Sequence, residues 1–319
     1  MRARRILAAD IGGTGSRFGH FLHDERGLTL LSTCRLATGD YGGGGELFEA
    51  LTASGFDLSP GEADVVVLAA AGFVDRDRRV RITARGWTID GAALESSLGG
   101  TFVVLNDLVA QAWATRSPLA GKTTILLRGE PREGVEAVVA SGTGLGKAFI
   151  VPDGRGGLLV LPSEGGHGTF AVENGDELDF LRFICDRVGP RGKELDFVVS
   201  GRGLAHLQAF LYGENLDERE VVDALGRSPL TVQWMGRFLG RVCRDTALDV
   251  LSLGGLTLTG GVLARSPFLV DQETFREAFL RSDTMGTVLA SIPVGLLADD
   301  DAGLWGAARA GAERWKEKG

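Results

Sequence analysis

Arg5-Ile-Leu-Ala-Ala-Asp-Ile-Gly-Gly-Thr-Gly15 and Val138-Val-Ala-Ser-Gly-Thr-Gly-Leu-Gly146 decide how this chain is read. In each, a short apolar run ends at a polar residue, Asp10 or Ser141, and a glycine-rich turn follows. Such runs read as buried strands. Ser16–Leu22 and Ala148–Val151 then return as strands, so both turns close hairpins. Glycine after a strand lets backbone approach a ligand. The turn Gly12-Gly13-Thr14 can offer N–H groups and a hydroxyl to phosphate oxygens. The carboxylate of Asp10 beside it can hold Mg²⁺ through water. An ordinary hairpin turn is the bland alternative for one such segment; two, one in each half, are far rarer by chance. The second turn, Gly142-Thr143-Gly144, is not the dinucleotide fingerprint: its third glycine falls one place early and a strand follows. Nor is it a P-loop, because Lys147 is followed by Ala148 and no glycine stands five places before Gly146.

Working outward from these turns, Leu28–Leu36 reads as a third strand, Gly42–Gly45 as a flexible loop and Glu46–Ala53 as a helix. Asp64–Gly72 and Thr101–Leu105 read as buried strands, and Asp90–Leu98 and Leu108–Ala114 as helices. In the second half, Thr123–Leu127, Ala137–Ala140, Leu158–Leu161, Leu256–Thr259 and Ser291–Leu297 join Ala148–Val151 as strands. Asp176–Arg187, Leu204–Leu211, Glu218–Leu225, Thr231–Leu248 and Ala302–Lys316 read as helices. The element order occurs twice, imperfectly. That predicts an α/β duplication with a cleft between the halves.

Three further segments are candidates for chemistry. Asn106-Asp107 ends a buried strand, where α/β sheets place active residues, although an N-cap for the next helix is the simpler reading of the pair alone. In Leu161-Pro-Ser-Glu164-Gly-Gly-His167, a Glu and a His can converge on one polar ligand. Zinc is set aside there: the chain has four histidines, and no second ligand stands near His167. Leu258-Thr-Gly260-Gly261-Val-Leu ends a strand in paired glycines, against which a flat ring could lie or another strand could pack. No Gly-x-Ser-x-Gly hydrolase elbow occurs.

Composition narrows the function classes. The 319 residues carry 34 Lys and Arg against 42 Asp and Glu, a net −8. That argues against nucleic acid and against an anionic membrane surface, both of which ask for basic clusters. With 44% apolar residues the chain can build a core, and at this length two domains are expected. No apolar run approaches the ~20 residues of a spanning helix, and Ile6–Ala9 is too short for a signal peptide. Three distant cysteines fit a reducing cytoplasm rather than a disulfide scaffold. The 48 glycines, about 15% against a usual ~7%, cluster at strand ends.

In order and distance, these segments resemble those of the bacterial glucokinases, of the sugar kinase, heat-shock ATPase and actin superfamily. Asp10-Ile-Gly-Gly-Thr14 with Arg17 resembles the first phosphate loop, and Ser141–Gly146 the second. Asn106-Asp107 resembles the pair whose Asp is the catalytic base. Leu161–His167 resembles the sugar-binding segment, Thr259-Gly260-Gly261-Val262 the adenosine motif, and Asp300–Gly306 the entry to the closing helix. The resemblance implies a two-domain actin-like ATPase fold, ribonuclease H-like and duplicated. A small domain would take 1–107 plus 300–319, and a large one 108–299. It also implies a cytoplasmic, ATP- and Mg²⁺-dependent kinase for a small sugar, most simply glucose at its 6-hydroxyl, and leaves a homodimer open. Asp107 would be the base, and Asn106, Glu164, His167 and Asp196 would hold the sugar. The alternatives are a kinase for mannose, fructose or an amino sugar, or a non-enzymatic sugar sensor. The repressor branch is set aside, for want of its Cys-rich zinc motif and of a helix-turn-helix segment. Departures gather on the sugar side. Thr83-Ala84 stands for a Thr-Asn pair, and Asp196 for a Glu one methylene longer, so a weaker hold on glucose is expected. Gly15 replaces an Asn, and Ala69–Phe73 lacks the family's Pro.

Overall fold

A computed structural model describes residues 2–82 and 86–313. The expectation attached to Ala84 lies outside the described residues. The strands are β1 (Arg4–Ile11), β2 (Gly15–Asp24), β3 (Gly27–Ala37), β4 (Val65–Ala70), β5 (Arg79–Arg81), β6 (Thr88–Asp90), β7 (Phe102–Asn106), β8 (Thr124–Leu127), β9 (Glu136–Ser141), β10 (Leu145–Pro152), β11 (Leu158–Ser163), β12 (Gly255–Thr259) and β13 (Val294–Leu296). The helices are α1 (Gly44–Ala53), α2 (Gly91–Leu98), α3 (Asp107–Ala114), α4 (Gly175–Val188), α5 (Leu195–Val198), α6 (Gly201–Tyr212), α7 (Glu218–Ala224), α8 (Pro229–Val250), α9 (Gly261–Arg265), α10 (Glu273–Leu280), α11 (Gly286–Ser291) and α12 (Ala302–Glu313).

The chain divides into two compact units, one of residues 1–121 and 301–319, the other of 122–300. The first therefore keeps α3 together with the sheet that precedes it. Its sheet has the order β3-β2-β1-β4-β7, with β1, β4 and β7 parallel and β2 and β3 antiparallel. Side chains of β1 alternate between two cores, as the period of a strand requires. Leu7, Ala9 and Ile11 pack with Leu47, Phe48 and Leu94 of α1 and α2. Ile6 and Ala8 pack with Ala110 of α3 and Leu304, Ala307 and Ala308 of α12. Burial on both faces explains why β1 and β4 are apolar almost throughout.

The second unit repeats the plan: its sheet runs β11-β10-β9-β12-β13-β8, with β9, β12 and β13 parallel. The duplication expected from element order is thus present in strand order, with β8 added antiparallel at one edge. One core joins this sheet to α4, α6, α8 and α10. Two sequence expectations shift. Gly42–Gly45 is not simply a loop: Gly43 caps α1, and Gly44 and Gly45 belong to it, because the apolar face at Leu47, Phe48 and Leu51 pulls the chain into helix two residues early. Ser291 ends α11, so the last strand starts only at Val294, after Pro293, which has no N–H to give a ladder. Among the described residues no helix is long and apolar enough to cross a membrane. The cysteines are free, and burial pushes the Cys243 thiol well above its usual range.

Candidate active site

The chemistry-bearing residues form one cluster in the first unit and one in the second. In the first, β1 carries Asp10 to its carboxyl end, and the hairpin register sets Arg17 opposite it. Arg17 lies 3.7 Å from Asp301, which also takes Arg35 at 3.1 Å. Burial raises the Asp10 carboxyl above the usual range, Arg17 opposes that rise and Asp301 adds to it. A nearby cation would relieve the cost of charging this group. The turn after it is tight: the Gly12 amide donates to the Gly15 carbonyl at 3.0 Å, and the Thr14 carbonyl accepts the Thr38 amide at 3.1 Å. Thr14 is exposed and Gly13 half-buried, so the turn's outer edge is open to solvent.

Asn106 and Asp107 sit where β7 passes into α3. Asn106 is a working N-cap: its Oδ1 accepts the amides of Leu108 at 2.9 Å and Val109 at 3.3 Å. Its Nδ2 donates to the Gly72 carbonyl at 3.0 Å, tying β7 to the end of β4. Asp107 opens the helix, and its Oδ1 accepts the Leu108 amide at 3.0 Å. The positive end of α3 favours a charged carboxylate there.

In the second unit the turn after β9 is braced from behind. The Gly142 amide donates to the Gly144 carbonyl at 2.9 Å, and the Gly142 carbonyl accepts the Gly201 amide at 2.8 Å. Asp196 Oδ1 accepts the Leu145 amide at 2.7 Å. Its other oxygen takes Arg202 Nη2, and Arg202 Nε donates to the Thr143 carbonyl at 3.2 Å. Glu218 hydrogen-bonds the Thr143 hydroxyl; burial raises its carboxyl, against the pull of Arg202. Ser141 Oγ is buried and has no hydrogen-bond partner among the described residues. Gly260, with φ of +103°, lies so close to the Ser141 backbone that a β-carbon would overlap it, so packing accounts for Gly260. Gly261 is open, since a β-carbon there would meet nothing nearer than 3.9 Å.

Asp196, expected on the sugar, is thus committed to the phosphate-loop candidate, with its side chain only 11% exposed. A different carboxylate stands beside His167. Glu194 Oε2 lies 2.8 Å from His167 Nδ1, and Glu164 Oε2 lies 3.7 Å from His167 Nε2. The Glu194 contact raises the His167 imidazole's pKa above its ordinary value; partial burial opposes this, and Asp196, Glu194 and Glu164 add to it through their charge. The reason for the exchange is local. Glu194 precedes the helical turn α5 and Asp196 is its second residue. Glu194 is still extended backbone, with φ −70° and ψ 143°, so the change into helix between the two residues sends their carboxylates to different partners.

A family model described as glucokinase matches residues 7–314. The chain belongs to the glucokinase family. Similar proteins include glucokinases of Pseudomonas paraeruginosa, 31% identical over 94% of this chain and 90% of theirs, and of Chromohalobacter salexigens, 32% identical over 96% and 97%. A crystal structure of a glucokinase from an Antarctic psychrotroph superposes with a TM-score of 0.79 at 26% identity, over 96% of this chain and 98% of that one. The fold is therefore the duplicated actin-like ATPase fold of the glucokinase family, and the enzyme is a kinase that transfers phosphate to a hexose hydroxyl.

Set against that glucokinase-family pattern, Glu194, Arg202 and Glu218 are the residues that sequence reasoning missed. Glu194 had a signal: it stands two places from Asp196, in a segment where either carboxylate could have been the one turned toward Glu164 and His167. Arg202 and Glu218 had none. They lie 59 and 75 positions from Thr143 and meet it only through the fold.

Proposed function

We propose that this glucokinase-family protein is a cytoplasmic, ATP-dependent glucokinase that phosphorylates the 6-hydroxyl of D-glucose. The observation that carries the reading is the Glu164–His167–Glu194 constellation on the segment next to a braced glycine turn: Ser163, just before Glu164, pairs in register with Lys147, three residues after Gly144. Two carboxylates bridged by an imidazole suit adjacent hydroxyls, and a hydroxyl-free or epimeric analogue would leave one of them unpaired.

In this reading Asp107 accepts the proton of the 6-hydroxyl as that oxygen attacks the γ-phosphorus, and the bond from that phosphorus to the β–γ bridging oxygen breaks to release ADP. Asn106 has one Nδ2 hydrogen outside its cap and β4 bonds, enough for one sugar oxygen. Glu164, His167 and Glu194 fix the ring. The Gly12 and Gly142 amides close their own turns, so the N–H groups of Gly13 and Thr14 and of Thr143 and Gly144 hold phosphate oxygens, Ser141 Oγ is a buried hydroxyl beside the second turn, and open Gly261 leaves room for the base. Asp196 and Arg202 hold the second turn in shape and do not touch sugar. The donor set suits Mg²⁺. Asp10 is a half-buried carboxylate whose charged form a cation would favour, and among the described residues no group of three or more His, Cys, Asp or Glu is placed to hold a metal. Mg²⁺ keeps most of its waters and rides on phosphate oxygens, so one carboxylate suffices. Bound with ATP, it would neutralise charge developing on the phosphates.

A coupled ADP-release assay with Mg-ATP and a panel of hexoses tests the proposal. The highest kcat/KM is expected for glucose. Preference for mannose, fructose or an amino sugar, or no sugar-dependent ADP, overturns it.

A further inference from the structure

We propose that Glu218 holds the ribose hydroxyls of the nucleotide, between the second glycine turn and the open backbone at Gly261. The inference rests on the reading above only in taking ATP as the phosphoryl donor.

Position carries it. A β-carbon on Gly201 would stand 3.2 Å from Glu218 Oε2, 3.3 Å from the Gly142 carbonyl oxygen and 3.5 Å from Val262 Cγ2. The carboxylate therefore shares one small space with the start of the phosphate turn and with the residue that follows Gly261. Its backbone is fixed. Glu218 opens α7, and a reciprocal cap closes that helix end: Asp217 Oδ1 accepts the Arg219 and Glu220 amides at 2.8 and 2.9 Å, and Glu220 Oε2 accepts the Asp217 amide at 2.9 Å. The cap leaves Glu218 no part in closing the helix, and its half-buried side chain reaches the Thr143 hydroxyl instead.

A charge is costly at this place. Burial raises the Glu218 carboxyl above its usual range; Arg202 and the Thr143 hydroxyl oppose the rise, and Asp196 and Asp217 add to it. Arg202, the cation in that balance, is committed to Asp196 and to the Thr143 carbonyl. A neutral side chain would hold the Thr143 hydroxyl without the cost of half-burying a carboxylate. A carboxylate so placed repels phosphate and asks for hydroxyl donors. Between the phosphates and the base of ATP lies the ribose, and its 2′- and 3′-hydroxyls are the O–H donors of the nucleoside. Two neighbouring hydroxyls suit the two oxygens of one carboxylate, and bonds to an ionised acceptor are the strong ones.

Calorimetric titration of the full chain, without sugar, tests the assignment with ATP, 2′-deoxy-ATP, 3′-deoxy-ATP and inorganic tripolyphosphate. The proteins are wild type, Glu218→Gln and Glu218→Asp, with circular dichroism to confirm folding. Wild type should bind ATP about tenfold or more tighter than at least one deoxy analogue, as loss of a hydrogen bond to a charged group implies. In Glu218→Gln that ratio should fall to about threefold or less, while tripolyphosphate binds at least as tightly as to wild type. Glu218→Asp, which withdraws the carboxylate by one methylene, should lower the ratio in the same direction, and it decides the matter if Glu218→Gln does not fold. A wild type that does not distinguish the analogues overturns the proposal, as does a ratio that the variants keep. Equal weakening of ATP, both analogues and tripolyphosphate overturns it too, by making Glu218 a brace of the turn. Because the readout is binding, a protein that meets these expectations yet releases no ADP with any hexose overturns the glucokinase reading and leaves the ribose assignment standing.

Discussion

Asp196 Oδ1 accepts the Leu145 amide at 2.7 Å in the space that a side chain on Gly144 would occupy. A β-carbon built on Gly144 falls on that carboxylate oxygen. The absence of a side chain at 144 and the presence of a short acid at 196 are therefore one feature, and Arg202 locks it by bonding both Asp196 and the Thr143 carbonyl.

Gly144→Val should consequently damage ATP use before glucose use. Displacing a buried charge-assisted hydrogen bond costs about 1.5–3 kcal/mol, so KM for ATP should rise by roughly 10–100-fold with a much smaller change for glucose. Steady-state saturation curves for both substrates, with circular dichroism to confirm folding, check this. Equal ATP saturation in a folded variant would show that the turn does not meet the nucleotide.

Asp196→Glu should not tighten glucose, although the resemblance alone suggests that it would. The extra methylene drives the carboxylate into the turn it now braces, and overpacking of this kind costs about 1–3 kcal/mol. A higher KM for ATP and a lower melting temperature are expected. A lower KM for glucose, measured in the same assay, would return Asp196 to the sugar.

Glu194→Gln bears on His167. The Glu194 carboxylate is the main cause of the raised pKa of His167, so wild-type His167 should titrate above 6.5, and the variant should titrate lower. The sign for stability follows. The contact's contribution is complete below pH 6.5, where His167 is charged in folded and unfolded chains alike, and fades as pH rises through the folded-state pKa. NMR titration of the imidazole reads the shift directly. An unmoved pKa would mean that the contact is not kept in solution. KM for glucose should rise in the same variant.

Asp107→Asn should keep the fold, the α3 start and sugar binding, and lower kcat by roughly 10²–10⁴, the usual range for a lost general base. Single-turnover kinetics with glucose affinity measured separately would separate chemistry from binding. Near-wild-type turnover would remove Asp107 from the reaction.

Much of this protein was legible in the chain itself. β1, β4, β7, β9 and β12 are short apolar runs because each is buried, and the polar or glycine residues at their carboxyl ends show where the backbone must turn. Those signals are local, so element order, the duplication and the two glycine turns could be read without coordinates. Asn106 was legible as a cap for the same reason, since its partners are two and three residues away. The start of α1 among four glycines was not, because the apolar face at Leu47, Phe48 and Leu51 outweighs the cost of helical glycine, and only packing displays that. The division of labour between Glu194 and Asp196 was decided by tertiary structure alone. Both are carboxylates in one three-residue stretch, and nothing in their chemistry says which one faces His167 and which one faces Leu145. The change from extended backbone at Glu194 to helix at Asp196 separates them, and residues 27 and 51 positions distant then give each its role.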